Sequence, residues 1–400
     1  MSMRISTAQL SQRLVADITR KQSDVANIQS QISSGKRINS PSDDPAQAGR
    51  LLRLEEASSQ LAQYDRNASA VESRLTLEET TLTGVNDTLK RARDLALSAT
   101  SGAVDDQART ALVAELEQLH DELYDLGNIK DSNGDYLFSG NNNASRPFSQ
   151  QNPVGYAGND TVRSLPIGLG REIKTGDAGS DVFIRIKEGN GNFSVASNVA
   201  NTGTGIIASG TINDPAAYNQ GSYKLIFTAP DTYDIVDTTA GATIQSGLVF
   251  TEDSEITFNG ISTSIQGVPQ TGDSFEITPS GYKDLFSTVD DLISALAVPT
   301  GNESDQASRQ QNVDGVMVNI DQALEHINTF RSRIGSRANS IDNSRDQNSA
   351  VQLQINRTQA GMEDLDYTQA ITDLQSHISS LEILHKSYSR IENLSLFNYL

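Results

Sequence analysis

Four histidines, His120, His326, His377 and His385, are the only imidazoles of this 400-residue chain, and it has no cysteine. Disulfides, thiolate metal sites and a thiol nucleophile are therefore excluded. None of the histidines stands in the HExxH arrangement that sets two zinc ligands and a base on one helix face. His377 and His385 lie two helical turns apart, with Asp373 and Glu382 within a turn of one or the other. That is too far for one ion, which takes three or four converging ligands. Asp131, Asn133 and Asp135 copy the opening of a calcium loop, but Tyr136 stands where the loop needs glycine and Asn142 where it needs glutamate. Asn133-Gly134 reads as a turn instead. No GxSxG elbow, GxGxxG fingerprint or glycine-rich loop closing in Gly-Lys is present, and Gly189-Asn190-Gly191 also reads as a turn. Adjacent carboxylates such as Asp43-Asp44 and Glu78-Glu79 are what 51 acidic residues produce by chance. These residues predict no catalytic group, no cofactor and no metal, and the chain reads as a non-enzyme.

The acidic residues outnumber 31 basic ones, for a formal charge of -20. A polyanion such as DNA is repelled by that balance, and no basic run is longer than a pair such as Lys36-Arg37, so nucleic acid is not an expected partner. No apolar run approaches the ~20 residues of a membrane-spanning helix. Residues 1–9 lack the apolar core and small-residue cleavage site of a secretory signal.

The elements follow from composition and period. Of 29 glycines and ten prolines, most fall between residues 139 and 281. Such residues punctuate strands and turns, so the chain reads as helix, sheet, helix. Ile256 and Phe258 alternate with polar residues, Asn259-Gly260 follows, and Ile261 and Ile265 resume the alternation, which predicts a hairpin on a type I′ turn. Val182, Ile184 and Ile186 predict a period-two strand, as do Tyr223, Leu225 and Phe227, with Pro230-Asp231 turning toward Tyr233 and Ile235. An antiparallel β domain is expected here.

The flanks are helical. Asp44 can cap a helix that begins at Pro45. From Leu54, the positions Ala57, Leu61, Tyr64, Ala68, Val71, Leu75, Leu82, Val85, Leu89, Ala92, Ala96 and Ala99 keep a three-four spacing that only Glu78 interrupts. Running to about Thr100, this helix would be roughly 80 Å long, and a rod is expected. A second helix, between Gly102 and Gly127, carries Leu112, Leu116, Leu119, Leu123 and Leu126. A third stripe runs through Val313, Met317, Ile320, Leu324, Ile327, Ile334, Ala338 and Ile341. The fold class is mainly α with an inserted β domain, the helical rod being formed antiparallel by the amino- and carboxyl-terminal segments.

At the two ends, Leu10, Leu14, Ile18, Val25, Ile28 and Ile32 form a narrow apolar stripe. Ile371, Leu374, Ile378, Leu381, Leu384, Tyr388 and Ile391 form its counterpart. A two-helix hairpin leaves its outer sides wet, so the two stripes together are read as a subunit interface completed by neighbouring molecules.

The segment Ser33-Ser34-Gly35-Lys36-Arg37-Ile38-Asn39-Ser40, followed by Asp43-Asp44-Pro45-Ala46, closely resembles the link between the first two helices of bacterial flagellin and its relatives. Arg331-Ser332-Arg333-Ile334-Gly335 resembles that family's carboxyl-terminal helix region. Within the family, several stretches resemble the member that joins hook to filament. They are Met3-Arg4-Ile5-Ser6-Thr7, Gly134-Asp135-Tyr136-Leu137-Phe138-Ser139-Gly140 with Pro147-Phe148, Asp366-Tyr367-Thr368-Gln369-Ala370, and the ending Leu394-Ser395-Leu396-Phe397-Asn398-Tyr399-Leu400. Filament subunits tend to close on a basic residue. Met1-Ser2 precede Met3, which leaves two candidate start residues. The resemblance covers roughly the first 150 and the last 120 residues.

What it implies is a structural subunit of the bacterial flagellum, needed for filament assembly and motility. Such a subunit is extracellular and leaves the cell by the flagellar type III export pathway without a cleaved signal. Its implied partners are a ring of like subunits, the preceding hook-associated protein on the hook side, flagellin on the filament side and an export chaperone. The implied division is 1–40 with 363–400 as assembly domain, 41–138 with 284–362 as helical rod, and 139–283 as a variable, outward β domain. Leu10, Leu14, Ile18, Leu374, Ile378, Leu381 and Ile391 would pack the inner tube. Two other readings stay open: the filament subunit itself, and a surface-binding module whose β domain meets a ligand on a helical stalk.

Overall fold

The computed structural model describes residues 7–100, 105–151, 154–298 and 301–397. Residues 1–6, Gly102 and residues 398–400, named above, lie outside them. Among the described residues there are six α-helices: α1 (Thr7–Ser34), α2 (Pro45–Ala99), α3 (Asp106–Gly127), α4 (Leu285–Ala297), α5 (Glu303–Glu363) and α6 (Tyr367–Phe397). An antiparallel β region lies between α3 and α4, so helices at both ends of the chain flank it, as the composition predicts. By packing, the chain divides into two units, residues 1–66 with 344–400 and residues 67–343.

In the second unit, α2 buries the expected stripe, with Ala68, Val71, Leu75, Leu82, Val85, Leu89, Ala92 and Ala96 all within the core. Leu116 and Leu123 of α3 and Val313, Ile320, Ile327, Ile334 and Ile341 of α5 join it in one apolar cluster. The start of α2 is fixed as Asp44 and Pro45 predict: the Asp44 carboxylate accepts from the Gln47 backbone N–H at 3.1 Å. A break that the sequence reading did not foresee separates α4 from α5. Pro299 and Gly301 stand at it, and a proline holds the residue before it out of the helical region. Val298 is accordingly extended, with ψ 119°.

Glu78 continues the α2 stripe as a fully buried residue. Its Oε1 accepts from the Asp177 N–H at 3.1 Å, while its Oε2 has no hydrogen-bond partner. Arg337 pairs with Asp177, and Arg74 with Asp131 at 2.7 Å. Burial first, then the Asp177 carboxylate, push the Glu78 pKa up to about 8.

The β region has two parts. Up to residue 187 it belongs to the helical core: Phe138, Phe148, Phe183 and Phe286 are fully buried together, with Phe148 and Phe286 ring centres 5.1 Å apart. From Phe193 to Ile277 a separate apolar cluster forms. Its sheet runs, in order, Ala242–Val249, Thr232–Asp237, Tyr223–Ala229, Ser274–Pro279 and Phe193–Ser197. Tyr223, Leu225 and Phe227 alternate inward as predicted. The expected hairpin is present, with Phe258 opposite Ile261 and positive φ at Asn259 (43°) and Gly260 (78°), the signature of a type I′ turn.

One predicted strand is wrong. Residues Ser180–Ile184 form a single π-helical turn, closed by the Arg185 N–H on the Ser180 carbonyl at 3.0 Å, and only Ile186–Lys187 beyond it is strand. The neighbours Val182 and Phe183 are both buried, which a strand with one covered face would not allow.

Candidate assembly site on the terminal helix pair

The first unit is built around α1 and α6, which pack along each other. At one end Lys36 bridges Asp364; farther along, Lys21 Nζ lies 3.3 Å from His377 Nδ1, so the partner's number rises as this one's falls and the pair is antiparallel. His377 also faces Asp24 at 3.5 Å, which places this histidine in a polar contact of the seam.

The flagellin-like motif is the clasp that sets this geometry. Gly35 takes φ +72°, a left-handed conformation that ends α1, and a Cβ there would meet Tyr367 Oη at 3.0 Å. The Leu365 N–H donates to the Gly35 carbonyl at 3.1 Å, and the Arg37 N–H to the Glu363 carbonyl at 2.6 Å. Arg37 Nη2 reaches the Met362 carbonyl at 2.9 Å, and Lys36 pairs with Glu363 at 2.8 Å, a bond that raises the pKa of the lysine. Asp43 closes the turn by accepting from the N–H groups of Asn39 (3.0 Å) and Ser40 (2.8 Å). Lys36 and Arg37 thus tie the α1–α2 link to the end of α5, and Asp43 ties it to itself.

Burial along the pair is incomplete. Of the predicted interface residues, Ile18 is buried. Leu14, Val25, Ile28, Ile32, Leu374, Ile378, Leu381, Leu384, Tyr388 and Ile391 are half-buried. Leu10 is 39% and Ile371 56% exposed, so neither is covered by the opposite helix. Among the described residues of this unit, six more large apolar or aromatic side chains, outside the predicted stripes, are exposed: Val15, Leu52, Val351, Leu353, Tyr367 and Ile383. Val15 follows Leu14 and Ile383 precedes Leu384; such consecutive apolar pairs mark a stripe wider than a two-helix seam, and were the available signal. Among the described residues no group of three or more His, Asp or Glu could hold a metal ion, and no helix is long and apolar enough to cross a membrane.

The flanks match known proteins. The bacterial flagellin N-terminal helical region matches residues 5–143, and the bacterial flagellin C-terminal helical region matches residues 317–400. Flagellar hook-associated protein 3 of Escherichia coli is 22% identical over 396 residues, covering 99% of both chains. The protein of that name from Salmonella typhimurium is 31% identical over 181 residues, 45% of this chain and 57% of that one. Salmonella flagellins, at 30% identity, are matched over only 28% of their length. Among solved structures, FlgL of Xanthomonas campestris superposes with a TM-score of 0.71 at 31% identity, over 77% of this chain and 99% of that one. With both flanks matched in order and nearly the whole of a solved FlgL covered, this chain belongs to the flagellar hook-associated protein 3 (FlgL) family.

Proposed function

We propose that the chain is a structural subunit of the bacterial flagellum that forms the junction between hook and filament, and that it acts through interface geometry without catalysis. The observation that carries this reading is the incompletely covered apolar face of the α1–α6 pair, where Leu10, Val15, Ile371 and Ile383 stand in water. Exposed apolar groups clustered on one helix pair are the mark of an interaction surface. Partial similarity to flagellin, against full-length similarity to hook-associated protein 3, favours the junction over the filament itself.

In this reading, residues 1–40 with 363–400 make the assembly domain, 41–138 with 284–362 its helical scaffold, and 139–283 the part free to vary. The partners are further copies of the chain in a ring, a hook-associated protein on the hook side, flagellin on the filament side and an export chaperone. The place of action is outside the cell, reached through flagellar type III export.

Deleting the gene tests the reading. Bare hooks with flagellin shed into the medium are expected. Bare hooks with no flagellin in either place would make the chain the filament subunit, and intact filaments would overturn the flagellar reading altogether. A point variant locates the surface: Ile378→Asp is expected to abolish junction formation while leaving the second unit folded, because a carboxylate buried without a partner is costly. Normal swimming by this variant would remove the α1–α6 face from the assembly site.

A further inference from the structure

The second unit contains a cavity of about 630 Å³ that the assembly reading does not use. Its walls are the end of α2, the first turns of α3 and α5, the end of α4 and the turns at Thr204 and Gly267. Two arginines line it, Arg109 of α3 and Arg309 of α5. The Arg109 side chain is 7% exposed and has one ion pair, with Asp106 a turn earlier. Arg309 has none among the described residues, and its Nη1 is buried without any hydrogen-bond partner. Glu303, also on the wall, pairs with neither arginine among the described residues. Burial, and then the charge of Arg109, depress the pKa of Arg309.

A buried guanidinium nitrogen with no acceptor is costly, and the cost is worse beside a second cation. The two wall carboxylates balance the two arginines in number, but Asp106 is taken by Arg109 and Glu303 is exposed, so the buried Nη1 of Arg309 is left without an acceptor on the cavity wall. A guanidinium presents a planar fork of donors that matches the oxygens of a carboxylate or phosphate. The volume also falls within the range of small-ligand sites, about 300–1,000 Å³.

We propose that this cavity binds a small oxyanion, a phosphate or a carboxylate, between Arg309 and Arg109. The site is independent of the α1–α6 surface, so it stands or falls apart from the junction reading.

Calorimetric titration of the full chain with inorganic phosphate and, separately, with acetate tests it, each against chloride at matched ionic strength. Saturable binding of at least one of them to one site is expected, and the preferred anion tells a phosphate site from a carboxylate site. Arg309→Gln, at a half-buried position, should weaken that binding at least about tenfold. The same variant should melt no lower than the unaltered chain in chloride alone, because it removes a half-buried cation that has no ion pair; Arg109→Gln is avoided, since that side chain is buried and paired with Asp106. Arg309→Lys, which keeps the charge and loses the fork, should bind less well than the unaltered chain. No saturable binding of either anion, or equal affinity in Arg309→Gln, would overturn the assignment.

Discussion

Glu78 places a carboxyl group where the α2 stripe has apolar side chains on either side, between Arg74, Arg337 and Asp177. Its pKa rises from an ordinary 4.5 to about 8, so between those values the folded chain holds a proton that the unfolded chain has released. By linkage, the contribution of this group to stability is fullest below about pH 4.5, falls as pH rises through the interval, and is flat above about pH 8. Glu78→Gln keeps an acceptor for the Asp177 N–H and cannot ionise, so it imitates the protonated acid. Thermal melts of the variant should match those of the unaltered chain near pH 5 and lie above them at pH 8.5, with a difference of a few kcal/mol or less. Parallel pH profiles for the two proteins would mean that Glu78 ionises as readily folded as unfolded.

At the scale of elements, α1 and α6 have one face turned to each other and another turned to water. Ile383 lies on the second, 64% exposed, whereas Ile378 is half-buried. Ile383→Asp should therefore leave the helicity and melting of the isolated chain unchanged, within about 0.5 kcal/mol, and still reduce assembly, as scored by junction formation in a strain lacking the natural gene. A variant that assembles normally would confine the interface to other parts of the pair. The sequence foretold such elements unevenly. Asp44 and Pro45 announce the start of α2, and Asn259-Gly260 the hairpin, because capping and turn chemistry are local. The π turn at 180–184 was missed, since Val182, Ile184 and Ile186 match a strand period over a run too short to exclude other folds. The division between Ile378 and Ile383 was invisible for another reason. A stripe records which residues avoid water, and the residue that will cover each of them belongs to another element or another molecule.

For the molecule as a whole, like copies that meet in an assembly each carry a formal charge of -20. Their mutual repulsion reaches about 10 Å in 0.1 M salt and about 3 Å in 1 M. Self-association measured by sedimentation should rise with sodium chloride over that range, and an association weakened by salt would mean that opposite charges meet at the contact. The two apolar clusters also meet the chain differently. Residues 193–277 have their own core, and the backbone enters and leaves that region through one short ladder, Tyr282 opposite Lys187 and Lys283 opposite Ile186. The Ser280 N–H meets the Asn192 carbonyl at 2.9 Å, just beyond that ladder. The two crossings lie side by side, so an exchange of residues 193–277 for another segment could rejoin the helical chain without a long linker, and its cost would fall on Gln311 of α5, which bonds the Ile207 N–H at 2.7 Å and carbonyl at 3.1 Å.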